Sequence, residues 1–218
     1  MGVATSTVEQ YVKTIYHLQK PEQLVQTQAI ADSLKVTPGT ATVMIKHLAE
    51  ERLVNYTPRY GVTLTAAGTT MALRLLRYHR LIETFLVEVL GYDWSEIHQE
   101  AEVLEHAVSD VFIQKVDRLL GYPTHDPHGD PIPNAQGRVT ESLSQALSDC
   151  PVHTKAIISR FEDTSPNTLG LMADEGLGLG TSIRVTASSP AAGVLTLEGP
   201  KGSITLSLQL AQTIRVVL

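Results

Sequence analysis

The chain is almost without cysteine. One Cys in 218 residues excludes a disulfide framework and any zinc module built on thiolates. Aromatic residues are sparse, at 5%. No apolar run approaches the roughly 18 residues of a membrane span. The opening "MGVATSTVEQYVKTIYHLQK" has no apolar stretch of the kind that makes a secretion signal or anchor. The expectation is a soluble, cytoplasmic protein with no membrane partner. Hydrophobic residues make up 43%, enough for one large domain or two to three small ones.

Positive charge is scarce overall, with a net −6, but it is unevenly placed. Residues 1–80 hold nine Lys and Arg against five Asp and Glu, a net +4. Residues 81–218 hold eight against eighteen, a net −10. A mildly basic end on an acidic remainder points to nucleic acid at one end and another task elsewhere.

The basic end has a readable order. Val8, Tyr11, Val12, Ile15 and Leu18 recur at helical spacing over about residues 6–20. "TQAIADSLKV" offers Thr27 as N-cap and Ile30, Ala31 and Leu34 as a buried stripe. "VTPGT" is a turn, and "ATVMIKHLAEERLV" is a helix with Val43, Ile45, Leu48 and Leu53 as its apolar residues. "LVNYTPRYGVTLT" reads as two short strands about a tight loop at Pro58–Gly61. Helix, short helix, turn, helix and hairpin make a winged helix-turn-helix. Its recognition helix spans about 38–50, so Thr37, Pro38, Gly39, Thr40 and Thr42 stand at the groove-facing end. Hydroxyls there suit phosphates and thymine methyls. Lys46 and His47 follow, and Arg59 and Tyr60 tip the wing. The bland alternative makes these threonines caps and solvent-facing filler.

Beyond the wing, one long helix runs to Gly91. A second, capped by Asp93 or Ser95, covers about 95–120. A Pro-, Gly- and Asp-rich loop and a linker at 141–151 follow. The last stretch alternates β-formers between Gly and Pro turns, with one helix at "SPNTLGLMADEGL", and suits a small SH3-like β-barrel. The fold class is mainly α with small β parts: a DNA-binding domain over 1–72, a helical domain over 73–140, and the barrel over 152–218.

Five of the eight His lie between residues 79 and 128. "HQEAEVLEHAVSD" begins at His98. On an ideal helix, with His98 at zero, Glu102 falls near ~40°, Glu105 near ~−20° and His106 near ~80°. Ile97, Leu104, Val108 and Val111 fall on the opposite side. Upstream, "HRLIE" stacks His79 and Glu83 one turn apart. Imidazole with carboxylate and no thiolate suits Mn²⁺, Fe²⁺, Zn²⁺ or Co²⁺. Three readings of the spacing stay open: a metal site, a solvated acidic helix face, and a catalytic His–carboxylate pair.

The winged helix, "HRLIE", "HQEAEVLEHAVSD" and "PHGDPIP" together resemble the diphtheria-toxin-repressor and manganese-transport-regulator family of metal-dependent transcriptional regulators, over nearly the whole chain. The resemblance implies a homodimeric repressor that binds palindromic operator DNA when metal-loaded, and no enzyme. It implies a first metal site of His79, Glu83 and His98, and a second of Glu102, Glu105 and His106 closed by Gln10. Glu102, where iron sensors tend to have Cys, leans the chain towards Mn²⁺ over Fe²⁺, with Zn²⁺, Co²⁺ and Cd²⁺ as substitutes. Gln10 departs from the family's usual ligands, which makes Glu9 or water its substitute. Lys13 stands where regulators lacking the third domain have an acid. Asp126 and His128 match loop ligands of three-domain members, and Asp163, beside Glu162, is the candidate sent from the C-terminal domain.

Overall fold

The computed structural model describes residues 5–20, 23–94, 96–140 and 143–218. They form two compact units. One holds the chain from its first helix through His79, with Glu102–Asp110 and Pro133–Arg138. The other holds Arg80–Ala101, Val111–Ile132 and Val139–Leu218.

The first unit opens with α1 (Thr5–Leu18), α2 (Thr27–Ser33) and α3 (Pro38–Glu50), then the hairpin β1 (Val54–Thr57) and β2 (Gly61–Leu64). This is the winged helix-turn-helix. Its core is Val12, Ile15, Ile30, Ala31, Ala41, Ile45 and Leu48, all fully buried. Each large aliphatic side chain there contributes about 1.5–3 kcal/mol. Thr37 caps α3 by accepting from the Thr40 amide, with Pro38 at the first helical position. The cap of α2 is Gln26 rather than Thr27, which is the first helical residue, and Gln26 makes no side-chain capping bond. Val43, expected in the apolar stripe, is 71% exposed. It lies on the opposite face to Ile45 and Leu48.

The hairpin depends on Gly61. A Cβ there would lie 2.6 Å from the Val25 carbonyl oxygen, and its φ is +132°. Only glycine adopts that backbone without strain. The close approach allows the reciprocal Val25–Val62 backbone bonds, both 2.9 Å, that hold the wing to the segment before α2.

The helix α4 (Ala66–Glu88) is the long one expected. The single helix expected over 95–120 is instead two, α5 (Ile97–Leu104) and α6 (Asp110–Leu119). Ser95, one of its two proposed caps, lies outside the described residues. The break removes the assumption behind the helical wheel. Glu105 and His106 follow the end of α5, and Glu105 is 2% exposed whereas Val111 is 61% exposed. No helix among the described residues is long and apolar enough to cross a membrane.

The second unit contains a six-stranded antiparallel sheet, ordered β3 (Gln145–Ala146), β8 (Ile214–Val217), β4 (Lys155–Phe161), β5 (Ser182–Ser189), β6 (Val194–Gly199), β7 (Gly202–Ser207). Register shifts at Ile158/Arg160 and Val185/Ala187 bend it. With α7 (Pro166–Asp174) and α8 (Leu208–Gln212) it forms the SH3-like barrel. Alternation in β4 and β5 sends Ala156, Ile158, Ile183 and Val185 into the core. Part of the expected linker belongs to this body. Gln145–Ala146 pair with β8, and Leu147 and Cys150 are buried in the core. Glu141 and Ser142 lie outside the described residues.

Candidate metal centre

In the first unit, α1 presents Glu9 and Lys13 one turn apart, 7% and 6% exposed. Charged side chains are rarely this buried unless paired, and these are. Lys13 Nζ donates to Glu102 Oε1 at 2.7 Å and to both Glu105 oxygens at 2.8 and 2.9 Å. His79 Nδ1, on α4, lies 2.6 Å from Glu105 Oε2 and 3.4 Å from Lys13 Nζ. His106 Nδ1 lies 2.7 Å from Glu9 Oε2, and its Nε2 lies 3.5 Å from Glu105 Oε1. Arg74 reaches Glu9 at 3.8 Å and stacks 5.4 Å over the Tyr78 ring. The Tyr78 hydroxyl donates to Asp110. Burial, then that bond, pushes its pKa up to about 12.

The structure therefore brings Glu102, Glu105, His106 and His79 together. Gln10 lines an open cavity of about 380 Å³ together with Glu102, His106, Leu34 and Val36. Glu9 is the α1 carboxylate in contact with His106.

In the second unit, Glu83 is 3% exposed and lies 3.3 Å from His98 Nδ1. Asp126 Oδ1 accepts the backbone amides of His128 and Asp130, both at 2.9 Å, and so shapes the loop. Arg80 faces Asp126 at 3.6 Å and Asp130 at 3.2 Å. Burial, with Asp130 and Glu83 adding to it and Arg80 opposing, pushes the Asp126 carboxyl up to about 7. Asp130 is shared between two guanidiniums, Arg80 at 3.2 Å and Arg160 at 3.0 Å. His128 is buried with its ring edge-on to Trp94, 5.8 Å between centroids. Asp163 has both oxygens committed locally, one to the Ser165 amide at 3.0 Å and one to the Thr168 hydroxyl at 2.7 Å. Those bonds hold its carboxyl below the usual range. They make it the turn that leads into α7.

Also in the first unit, Thr37, Pro38, Gly39, Thr40 and Lys46 are exposed and Thr42 is half-buried. The Thr42 hydroxyl is turned back onto the Pro38 carbonyl at 2.7 Å. Arg59 and Tyr60 project at the wing tip, and Gln26 fixes it by donating to the Tyr60 carbonyl at 2.7 Å. Val43 joins this exposed face.

Three family models tile the chain. They are the iron dependent repressor N-terminal DNA binding domain over residues 4–62, the iron dependent repressor metal binding and dimerisation domain over 65–134, and the FeoA domain over 145–218. A solved manganese-dependent transcriptional repressor in complex with manganese is 40% identical with a TM-score of 0.87, over 96% of this chain and 99% of that one. The chain belongs to the diphtheria-toxin-repressor family of metal-dependent transcriptional repressors. Another family member of known structure, ScaR with bound Cd²⁺, is 36% identical with a TM-score of 0.81, over 96% and 98% of the two chains. The iron-dependent repressor IdeR of Mycobacterium leprae is 27% identical over 99% of each chain. Family membership makes the winged helix a DNA-binding domain and the helices after it a metal-binding and dimerisation domain.

Proposed function

We propose that this chain is a manganese-responsive repressor of metal-uptake genes. In this reading it works in the cytoplasm as a homodimer on palindromic operator DNA. The observation that carries the metal assignment is the donor set between α1 and the 102–106 segment. It is all carboxylate, amide and imidazole, with Glu102 and no thiol, and such donors favour harder ions.

Glu102, Glu105 and His106 would hold one ion, with α1 supplying the Gln10 amide oxygen or the Glu9 carboxylate. His79, Glu83 and His98 would hold a second, to which Asp126, His128 and Asp163 are candidate additions. A bound divalent ion supplies a charge that these acids share. Glu102, Glu105 and His106 then hold α1 in one position, and with it the recognition helix. A dimeric helix-turn-helix protein reads half-sites whose spacing must match its two recognition helices. Restraining α1 therefore selects the binding-competent state.

Exposed Val89, Leu90, Val111, Phe112, Leu119 and Tyr122 in the second unit support a dimer, being large apolar groups a partner subunit would cover. On DNA, Thr37, Pro38, Gly39, Thr40, Thr42 and Lys46 face the groove, and Arg59 and Tyr60 contact the backbone or the minor groove. With few side chains able to pair guanine in two places, shape and van der Waals contact supply much of the readout. Fe²⁺ is the second reading, favoured by the likeness to an iron-dependent repressor.

The test is a mobility-shift titration on duplexes selected from a random pool, with Mn²⁺, Fe²⁺, Zn²⁺ or EDTA. Wild type should bind best with Mn²⁺. Glu102→Ala and His106→Ala should lose metal-dependent binding while keeping their helical circular dichroism. Variants that still require Mn²⁺ and bind as wild type would remove this assignment.

A further inference from the structure

The donor atoms of His79, Glu102 and Glu105 all lie within 4.8 Å of one another, the spacing of a group around one cation. That position already has a cation beside every donor. Lys13 Nζ is 2.7 Å from Glu102, 2.8 and 2.9 Å from the two Glu105 oxygens, and 3.4 Å from His79 Nδ1. An ammonium has three protons and no acceptor, so it suits the three carboxylate oxygens around it. Its side chain is 7% exposed and the Glu105 side chain fully buried. Its neighbours on α1, Val12 and Ile15, are packed in the core.

We propose that Lys13 is the resident cation of the His79–Glu102–Glu105 cluster and closes that cluster to divalent ions. A divalent ion entering it would meet the ammonium within contact distance, beside a Lys13 and a Glu105 that are both buried and so weakly screened. Each carboxylate still has lone pairs beyond those given to Lys13, so Glu102 and Glu105 can also serve the neighbouring ion with His106. The proposal rests on the metal reading only for that neighbouring site. It adds a second role for Lys13. The residue ties α1 to the 102–105 segment without metal, so metal strengthens a contact that exists before it binds.

The test counts Mn²⁺ per chain on the full-length protein, by calorimetric titration and by the free-Mn²⁺ paramagnetic resonance signal. Lys13→Glu removes the ammonium and adds an oxygen donor, and should take one Mn²⁺ more than wild type. Lys13→Gln should gain the same ion more weakly, and serves if the Glu variant does not fold. Equal stoichiometry in wild type and both variants overturns the proposal. A wild type that takes no Mn²⁺ at all instead overturns the functional reading, whatever the variants do.

Discussion

Glu105→Ala in the metal-free protein tests how much the buried network holds. The Glu105 side chain is fully buried and faces a Lys13 ammonium that is 7% exposed, at 2.8 Å. Deleting one member of a buried ion pair costs about 3–5 kcal/mol, because the other charge is left without its partner. Here Glu102 stays at 2.7 Å, but its side chain is 29% exposed and partly screened. That places the loss near the lower end, at about 3 kcal/mol. In a chain of this size, such a loss lowers the melting temperature by about 6–12 °C. Removing Lys13 first changes the outcome. In a Lys13→Met background Glu105 is itself a buried, under-compensated carboxylate, so its removal should cost under about 1 kcal/mol and the coupling should be roughly 2–3 kcal/mol. The assay is urea unfolding in EDTA of wild type, both single variants and the double, followed by helical circular dichroism. A Glu105→Ala loss below about 0.5 kcal/mol, or strictly additive variants, would refute the view that this is a mutually dependent buried network.

Two further outcomes concern the DNA-binding domain. Gly61→Ala forces a methyl to 2.6 Å from the Val25 carbonyl at φ +132°; it should cost about 1–3 kcal/mol and weaken DNA binding by moving the wing. An unchanged melting curve would show the hairpin yields there. Arg59→Gly should separate fold from function, because Arg59 has a φ of +71° that glycine adopts more readily. Its stability should hold or rise slightly, while DNA affinity falls and the slope of log K against log salt becomes shallower by about 1. An unaltered slope would remove Arg59 from the phosphate contacts.

The winged helix was legible because its signals are local. Thr37 and Pro38 mark a helix start, and Gly61 marks the turn. The break after Leu104 was not, since Leu104, Val108 and Val111 continue a helical period with no Gly or Pro to interrupt it. The signal for the second helix is Ser109–Asp110, a good helix start within the same motif. The burial of Glu105 was equally hidden, because its main partner, Lys13, is 92 residues away. Spacing put Glu105 on the face opposite the apolar residues, and the structure buries it. The choice between Glu9 and Gln10 is likewise tertiary. Adjacent residues on a helix diverge by about 100°, and only the packing of α1 shows that the Glu9 carboxylate lies 2.7 Å from His106. The strand at Gln145–Ala146 was missed because two residues carry no periodicity.

Cys150 is the chain's one thiol, and it is 5% exposed within the C-terminal core, beneath β3. Burial there slows its reaction with a sulfhydryl reagent until the core around it opens. Its labelling rate is thus a built-in clock for the opening of the C-terminal domain, readable without an introduced probe. Because nothing else in the chain reacts with such a reagent, the clock runs independently of the DNA-binding end. It reports whether loading the upstream acids alters the breathing of the C-terminal domain.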